Sequence, residues 1–324
     1  MPETSQTLSV GCAGIVVADT YCGPMDSIPR EGEVLVIDDM LSSVGGCAAN
    51  VASALAKQDV PAAVAGCVGH DQGAKIVLDT LENRGVDCSQ IRKVDDYSTS
   101  QTTILVVKGQ DRRFVHVLGA NQAFSIDQID RQWIAGLRCF YLGGLLLMPN
   151  VLCEQLADLL QYCRTQNVLT VLDVVVPQGL QNFTGLEACL PWVDYFLPND
   201  DEAAKISGKI DPVEQAIHFR DLGAGTTVIT RGSEGALAIR DNELWRVAAF
   251  PVDAVDLTGC GDAFAAGLIA SVLCDREIPP TLAYASILGS SCSRAIGCYD
   301  GVLTATQAEA FIRQNQVEFD HTSV

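Results

Sequence analysis

Asp256-Leu257-Thr258-Gly259-Cys260-Gly261-Asp262 is the stretch of this chain with the most chemistry in its residue types. Small residues there lead straight into Ala263–Cys274, an almost wholly apolar segment that reads as a helix. Unpaired backbone N–H groups therefore gather at the start of that helix. Such a site attracts phosphate, because free amides and the helix dipole favour negative charge and glycines let an anion come close. Asp262 then needs its own explanation. A carboxylate beside an anion site repels the ligand unless it accepts a proton from a hydroxyl attacking phosphorus. The plainer reading is an Asp N-cap on a buried helix. The paired glycines and a second carboxylate, Asp256, favour the chemical one.

Three other segments carry polar groups at telling spacing. Gly45-Gly46 opens an Ala-rich stretch, Cys47–Lys57, in which Cys47, Val51, Ala54 and Leu55 fall on one helical face. Asn199 followed by Glu202 has the spacing of a helix capping box. Thr230-Arg231-Gly232-Ser233-Glu234-Gly235 follows an apolar run and reads, by itself, as strand, turn and strand.

The elements that must position these groups alternate. Leu8–Ile15 reads as a buried strand feeding a loop that contains Asp19, and further strands are expected at Ala62–Val68, Cys139–Leu142, Leu169–Val175, Tyr195–Leu197 and Thr227–Thr230. Helical patterns at Ala74–Arg84, Val151–Gln166, Pro212–Leu222 and Pro280–Ala295 separate most of them. Strands alternating with helices argue for a parallel sheet covered on both faces. Two regions, 33–44 and 98–117, break the alternation and read as strand pairs forming a small antiparallel flap. With no repeat or linker in view, residues 1–324 read as one domain with a lid, its core about 8–312.

These segments, in this order, resemble the PfkB or ribokinase-like carbohydrate kinases over nearly the whole chain. The family's C-terminal signature has the form D-T-x-G-A-G-D; here Leu257 replaces Thr and Cys260 replaces Ala, while Asp256, Gly259, Gly261 and Asp262 are in place. The resemblance implies a three-layer α/β fold, with a mainly parallel central sheet, helices on both faces and a small antiparallel β lid. It implies Asp262 as catalytic base and the amides of Gly259, Cys260 and Gly261 as an anion hole. Gly45, Gly46 and Asn50 match the G-G-x-x-x-N signature that holds the sugar, joined by Asp19 and by Asn121 of Gly119-Ala120-Asn121. Asn199 and Glu202 match the motif that organises Mg²⁺, largely through water. Thr230, Gly232 and Gly235 match the nucleotide turn, and Ser286 is expected near the adenine of ATP. Asp256 and Thr258 fall where several members bind a monovalent cation such as K⁺.

The function implied is ATP-dependent phosphorylation of a hydroxyl of a small neutral sugar, ribose-like or fructose-like. The Arg that ketodeoxygluconate kinases direct at an acid group is replaced by Val117, which argues against a sugar acid. A sugar phosphate would need cations from Lys108, Arg112, Arg113 or Arg138, and Arg112 and Arg113 read as a solvated lid edge. Few aromatics on the lid argue against nucleosides. Exposed lid strands could pair between subunits, so a homodimer is expected. A catalytically silent sugar-binding regulator is the reading from another class, and retention of Asp262 and both glycines argues against it. A dinucleotide-dependent oxidoreductase would need G-x-G-x-x-G after the first strand, and Gly11-Cys12-Ala13-Gly14-Ile15-Val16 does not have it.

Composition narrows the partners. Lys and Arg number 21 against 40 Asp and Glu, for a formal net charge of −19, which argues against nucleic acid. No apolar run reaches the roughly 20 residues of a membrane helix. Met1 to Ser9 lacks the cationic, apolar character of a secretory leader, so a cytoplasmic address is expected. Thirteen cysteines, scattered through apolar stretches, read as buried thiols, with no spacing suited to zinc.

Overall fold

Short apolar runs bounded by turn residues become strands, and the longer patterned stretches between them become helices. In the computed structural model, which describes residues 8–110, 112–152, 154–315, 317 and 319–324, the chain begins with β1 (Val10–Gly14), β2 (Val17–Met25), β3 (Met40–Gly45), α1 (Cys47–Lys57) and β4 (Ala62–Val68). There follow α2 (Gln72–Asn83), β5 (Asp87–Lys93), β6 (Gln101–Val107), β7 (Arg113–Val117), α3 (Arg131–Ala135), β8 (Cys139–Gly143), α4 (Glu154–Thr165) and β9 (Leu169–Leu172). Next come α5 (Leu186–Cys189), β10 (Tyr195–Phe196), α6 (Asp200–Ser207), α7 (Pro212–Asp221), β11 (Thr226–Thr230), β12 (Ala236–Arg240) and β13 (Glu243–Val247). The last elements are α8 (Cys260–Val272), α9 (Ile278–Cys292), α10 (Ala305–Gln314) and β14 (Phe319–Ser323). Most of Met1 to Ser9, namely residues 1–7, lies outside the described residues, as does Cys153; no disulfide joins two of the other cysteines among the described residues.

Ten strands form one sheet in the order β14-β13-β12-β11-β10-β9-β8-β1-β4-β5. Pairing is parallel from β11 through β5 and antiparallel from β11 out to β14. Successive residues of a strand face opposite sides, and the two sides have separate cores. Cys139 and Tyr141 of β8 join a cluster with α1, α2, α8, α9 and α10. Phe140 and Leu142 join a second cluster with α3 to α7. Sequence reasoning did not place β5, β12, β13 or β14. The last three form the antiparallel end of the sheet, where β13 and β14 carry Glu243, Arg246 and Asp320 in place of an apolar run.

The lid is a second sheet, ordered β3-β2-β6-β7. Two antiparallel pairs, β3 with β2 and β6 with β7, are joined by parallel pairing of β2 with β6. This corrects the expected lid boundaries. Only Met40–Gly45 of the 33–44 region is strand, and its partner is Val17–Met25, which the sequence reading had taken as a loop. The reason is that β2 is almost entirely buried between its neighbours, so it lacks the alternation that marks an exposed strand. Asp19 therefore sits on a lid strand, paired with Ser43 and Thr102.

Phe140 is fully buried at the centre of β8. Phe140→Ala is expected to cost about 3–5 kcal/mol, read as a lower urea midpoint at unchanged slope.

Candidate active site

The anion loop forms where the sequence placed it, at the start of α8. Gly259 caps the helix in the left-handed region at φ 76°, a conformation that favours glycine. Ala263 N is the first amide to donate back, to Gly259 O at 2.8 Å, and Cys260 N reaches only a distant Leu257 O at 3.4 Å. The amides of Gly261 and Asp262 lie between them, among those a helix start leaves without a backbone acceptor. A Cβ built on Gly261 would meet nothing within 4 Å, so the space beside this loop is open to a ligand.

Asp262, in the first turn of α8, is met from across the molecule. Asn50 Nδ2 of α1 donates to Asp262 Oδ2 at 2.8 Å, and the Cys47 thiol also bonds to its carboxylate. Burial pushes the Asp262 carboxyl up to about 6, against the lowering effect of these two donors. Asn50 Oδ1 is buried with no hydrogen-bond partner among the described residues, which leaves an acceptor for a hydroxyl beside the carboxylate. The Asp262 carboxylate thus lies within reach of both the anion loop and a hydroxyl-sized acceptor site.

Asp19 and the diglycine complete that side. A Cβ on Gly45 would overlap the Asp19 carboxylate, and one on Gly46, at φ 90°, would fall 2.5 Å from Ile15 O. Glycine is required at both positions by this close approach. Burial drives the Asp19 carboxyl up to about 7, opposed by a hydrogen bond from Thr102 and reinforced by the charge of Asp262. Thr102 Oγ1 lies 3.0 Å from His116 Nδ1, so β2, β6 and β7 form a polar chain that the sequence reading did not find. Asn121 is corrected: it is fully buried, accepts from Val16 N at 3.1 Å and donates to Val16 O at 3.0 Å, and so fastens the β1–β2 turn instead of lining the cleft.

Opposite lies the expected nucleotide side. Asn199 and Glu202 form the capping box of α6, and an isolated bridge sets Asn199 beside Thr230. Two segments distant in sequence therefore meet. Gly232 and Gly235, at φ 52° and 83°, shape the turn after β11, and within it Arg231 pairs with Glu234. Ser286 is buried in α9 and donates to Ala248 O at 3.1 Å, which makes it a strut between helix and loop.

One acidic residue escaped the sequence reading. Asp173 follows β9, accepts from Tyr141 OH at 2.9 Å, and is pushed well above the usual carboxylate range by burial and by Glu202 and Asp262. Ligand atoms of Cys47, Asp173 and Asp262 all lie within 4.8 Å of one another. Burial likewise raises Glu202 to about 7. Hard oxygen donors crowded without a cation fit Mg²⁺, while the Cys47 thiol, held protonated by burial, does not act as a ligand. Asp173 and Glu202, with Asn199 beside them, would face such an ion, leaving the Asp262 carboxylate to a proton.

At Asp256 and Thr258, where the resemblance implies a monovalent cation, the carboxylate already has several protein partners. Asp256 Oδ1 accepts from Thr258 N at 2.9 Å and Oγ1 at 2.6 Å, and Oδ2 accepts from Gly297 N at 2.8 Å. The remaining approach is taken by Arg112, whose Nε lies 3.3 Å from Oδ1 with the two side chains 19% and 2% exposed. Arg112 is accordingly no solvated lid edge, whereas Arg113 bonds only to exposed Gln110 at 2.7 Å.

The family model described as pfkB family carbohydrate kinase matches residues 9–305. An ATP-dependent ribose-1-phosphate kinase of Halopiger xanaduensis is 28% identical over 298 residues, covering 91% of this chain and 94% of the relative. A deoxyribokinase of Salmonella typhi is 29% identical over 252 residues, 76% of this chain and 78% of the relative. Among solved structures, a putative ribokinase II of E. coli in complex with ATP and Mg²⁺ superposes with a TM-score of 0.83 at 20% identity, covering 95% of this chain and all of the other. An Arabidopsis thaliana ribokinase complexed with ribose and ATP gives 0.80 at 20% identity, covering 94% and 98%.

A carboxyl that must accept a proton works only when ionised. With Asp262 raised to about 6 and Asp19 to about 7, both are protonated in acid and charged in base. The kcat/KM for the acceptor is expected to rise with pH between 5 and about 7.5, then level off; a profile flat across that range would remove Asp262 as the proton acceptor.

Proposed function

The chain belongs to the pfkB family of carbohydrate kinases, which are ATP-dependent phosphotransferases, and from that premise we propose that it phosphorylates a hydroxyl of a neutral pentose or hexose with Asp262 as general base. The observation that carries this reading is the convergence on one cleft of Asp262, the open side of Gly261 and the unpartnered Asn50 Oδ1. Asp19 and Asn50 accept and donate to sugar hydroxyls. Asp262 takes the proton of the attacking hydroxyl as the oxygen approaches phosphorus, and the amides of Gly259, Cys260 and Gly261 receive the transferring charge. Asn199, Glu202 and Asp173 would hold Mg²⁺ arriving with ATP, and the ion would supply positive charge against the phosphates. Thr230, Gly232 and Gly235 bound the nucleotide side.

The electrostatics of the sugar side support a neutral substrate. Asp19, Asp262, Thr102 and Asn50 supply carboxylates and neutral polar groups, a lining suited to hydroxyl donors and hostile to anions. The cations that come near are engaged elsewhere: Arg112 with Asp256, and Arg84 with Ser43, Ser53 and the Tyr299 ring. Relatives named for deoxyribose, ribose and ribose 1-phosphate favour a pentose. Buried thiols such as Cys12, Cys67 and Cys139 suit a reducing setting such as the cytoplasm.

A homodimer through the lid belongs to the same proposal. Strand β7 is an edge strand carrying Phe114, Val115 and Val117 at 52%, 65% and 48% exposure. Open edge groups and apolar side chains together favour pairing with a second copy.

Two measurements decide these points. Asp262→Asn should lower kcat by about 10²–10⁴-fold across ribose, deoxyribose, fructose, ribose 1-phosphate, ketodeoxygluconate and adenosine, while calorimetry still detects nucleotide binding; near-normal turnover would sink the mechanism, and activity confined to an anionic sugar would sink the substrate class. Light scattering should give twice the 34.5 kDa chain mass, falling to one chain for Val115→Asp. A wild-type monomer would end the dimer proposal.

A further inference from the structure

The Asp256 carboxylate is buried one turn of chain before the anion loop, and its charge opposes any phosphate bound there. Three of its contacts are neutral donors, from Thr258 N, Thr258 Oγ1 and Gly297 N. The fourth is a full positive charge, and it comes from the other sheet: Arg112 directly precedes β7, and its Nε reaches Asp256 Oδ1 at 3.3 Å. A second lid contact falls beside it, with Tyr21 OH of β2 lying 3.7 Å from Cys298 Sγ. Cys298 in turn packs against Gly259, where a Cβ would stand 2.6 Å from the Cys298 Cβ.

We propose that Arg112 is a positioning residue for phosphoryl transfer: a cation carried by the lid that neutralises Asp256 and sets the anion loop, in place of a monovalent metal ion. Paired with it, Asp256 holds Thr258 and Gly297 in place without repelling the nucleotide. Unpaired, it is a buried charge with no compensating cation, a condition that weakens both the loop and its affinity for anions. The arginine belongs to the lid sheet and already reaches Asp256 in this structure, so one ion pair ties the lid to the anion loop. The inference rests on the kinase reading of the cleft.

The test is calorimetric binding of Mg²⁺ with a non-hydrolysable ATP analogue, which needs no knowledge of the sugar. Wild-type protein and Arg112→Ala are compared in potassium and in N-methylglucamine buffers of equal ionic strength, with thermal melts as folding controls. Wild-type affinity is expected to agree within twofold between the two buffers. Arg112→Ala should bind at least tenfold more weakly in N-methylglucamine and recover at least threefold on adding potassium or guanidinium at tens of millimolar. Arg112→Lys should retain intermediate affinity, and it carries the comparison if the alanine variant fails to fold. Several-fold activation of the wild type by potassium would overturn the proposal. So would Arg112→Ala binding like wild type, or a loss that neither cation rescues, since that is the behaviour of a purely structural residue. No binding by wild type in either buffer would overturn the nucleotide reading and this inference with it.

Discussion

Acidic groups crowd a half-buried cleft, and this constraint shapes the rest of the molecule. Asp19, Asp173, Glu202 and Asp262 are each raised above their ordinary values, with burial the largest cause in every case. In a medium of low dielectric, like charges a few ångströms apart strongly disfavour joint ionisation. The cleft therefore calls for positive charge. Overall charge makes this need sharper: at −19 the long-range field opposes a polyanionic nucleotide. Attraction has to be local, from the amides at the start of α8, from a metal ion arriving with the nucleotide, and from the lid's arginine.

Holding those groups against their own repulsion needs a stiff base, and α8 and α9 supply it. Both are apolar on all sides and almost fully buried, as expected of helices inside a covered sheet. Their axes come close because glycine occupies the contact points. A Cβ on Gly267 would lie 2.8 Å from Ala285 Cα, and one on Gly289 would lie 3.1 Å from Cys260 O. The anion loop is thus the tip of a closely packed helix pair, which holds its amides toward the cleft.

What the sequence could disclose follows from the range of the interactions involved. The anion loop, the diglycine and the capping box at Asn199 are local: each is specified by residues within a few positions, and each formed where expected. Tertiary partners are not local. Asn121 looked like a cleft residue, yet its amide fits the two backbone groups of Val16, a pairing visible only once β1 and the following 3₁₀ turn are side by side. Asp173 sits in an apolar run with no neighbouring polar signal, and only parallel pairing of β8 with β9 brings Tyr141 to it. Arg112 and Arg113 are adjacent and chemically identical, but one reaches a buried carboxylate and the other an exposed glutamine. Alternation along a strand could say that they diverge and could not say toward what.

The lid resolves a problem of timing that the cleft creates. A preassembled base and anion loop would also serve water as acceptor, so the constellation should be complete only when the sugar is enclosed. The four lid strands distribute the missing parts. β2 carries Asp19, β6 carries Thr102 that bonds it, β7 carries His116 that bonds Thr102, and the segment before β7 carries Arg112. One small sheet therefore carries the sugar's acceptor and the loop's counter-charge together. The parallel joint between β2 and β6 makes this possible, because it ties the two antiparallel pairs into one body. Two independent hairpins would put Asp19 and Arg112 on separate bodies; a single hydrogen-bonded sheet holds them at one spacing.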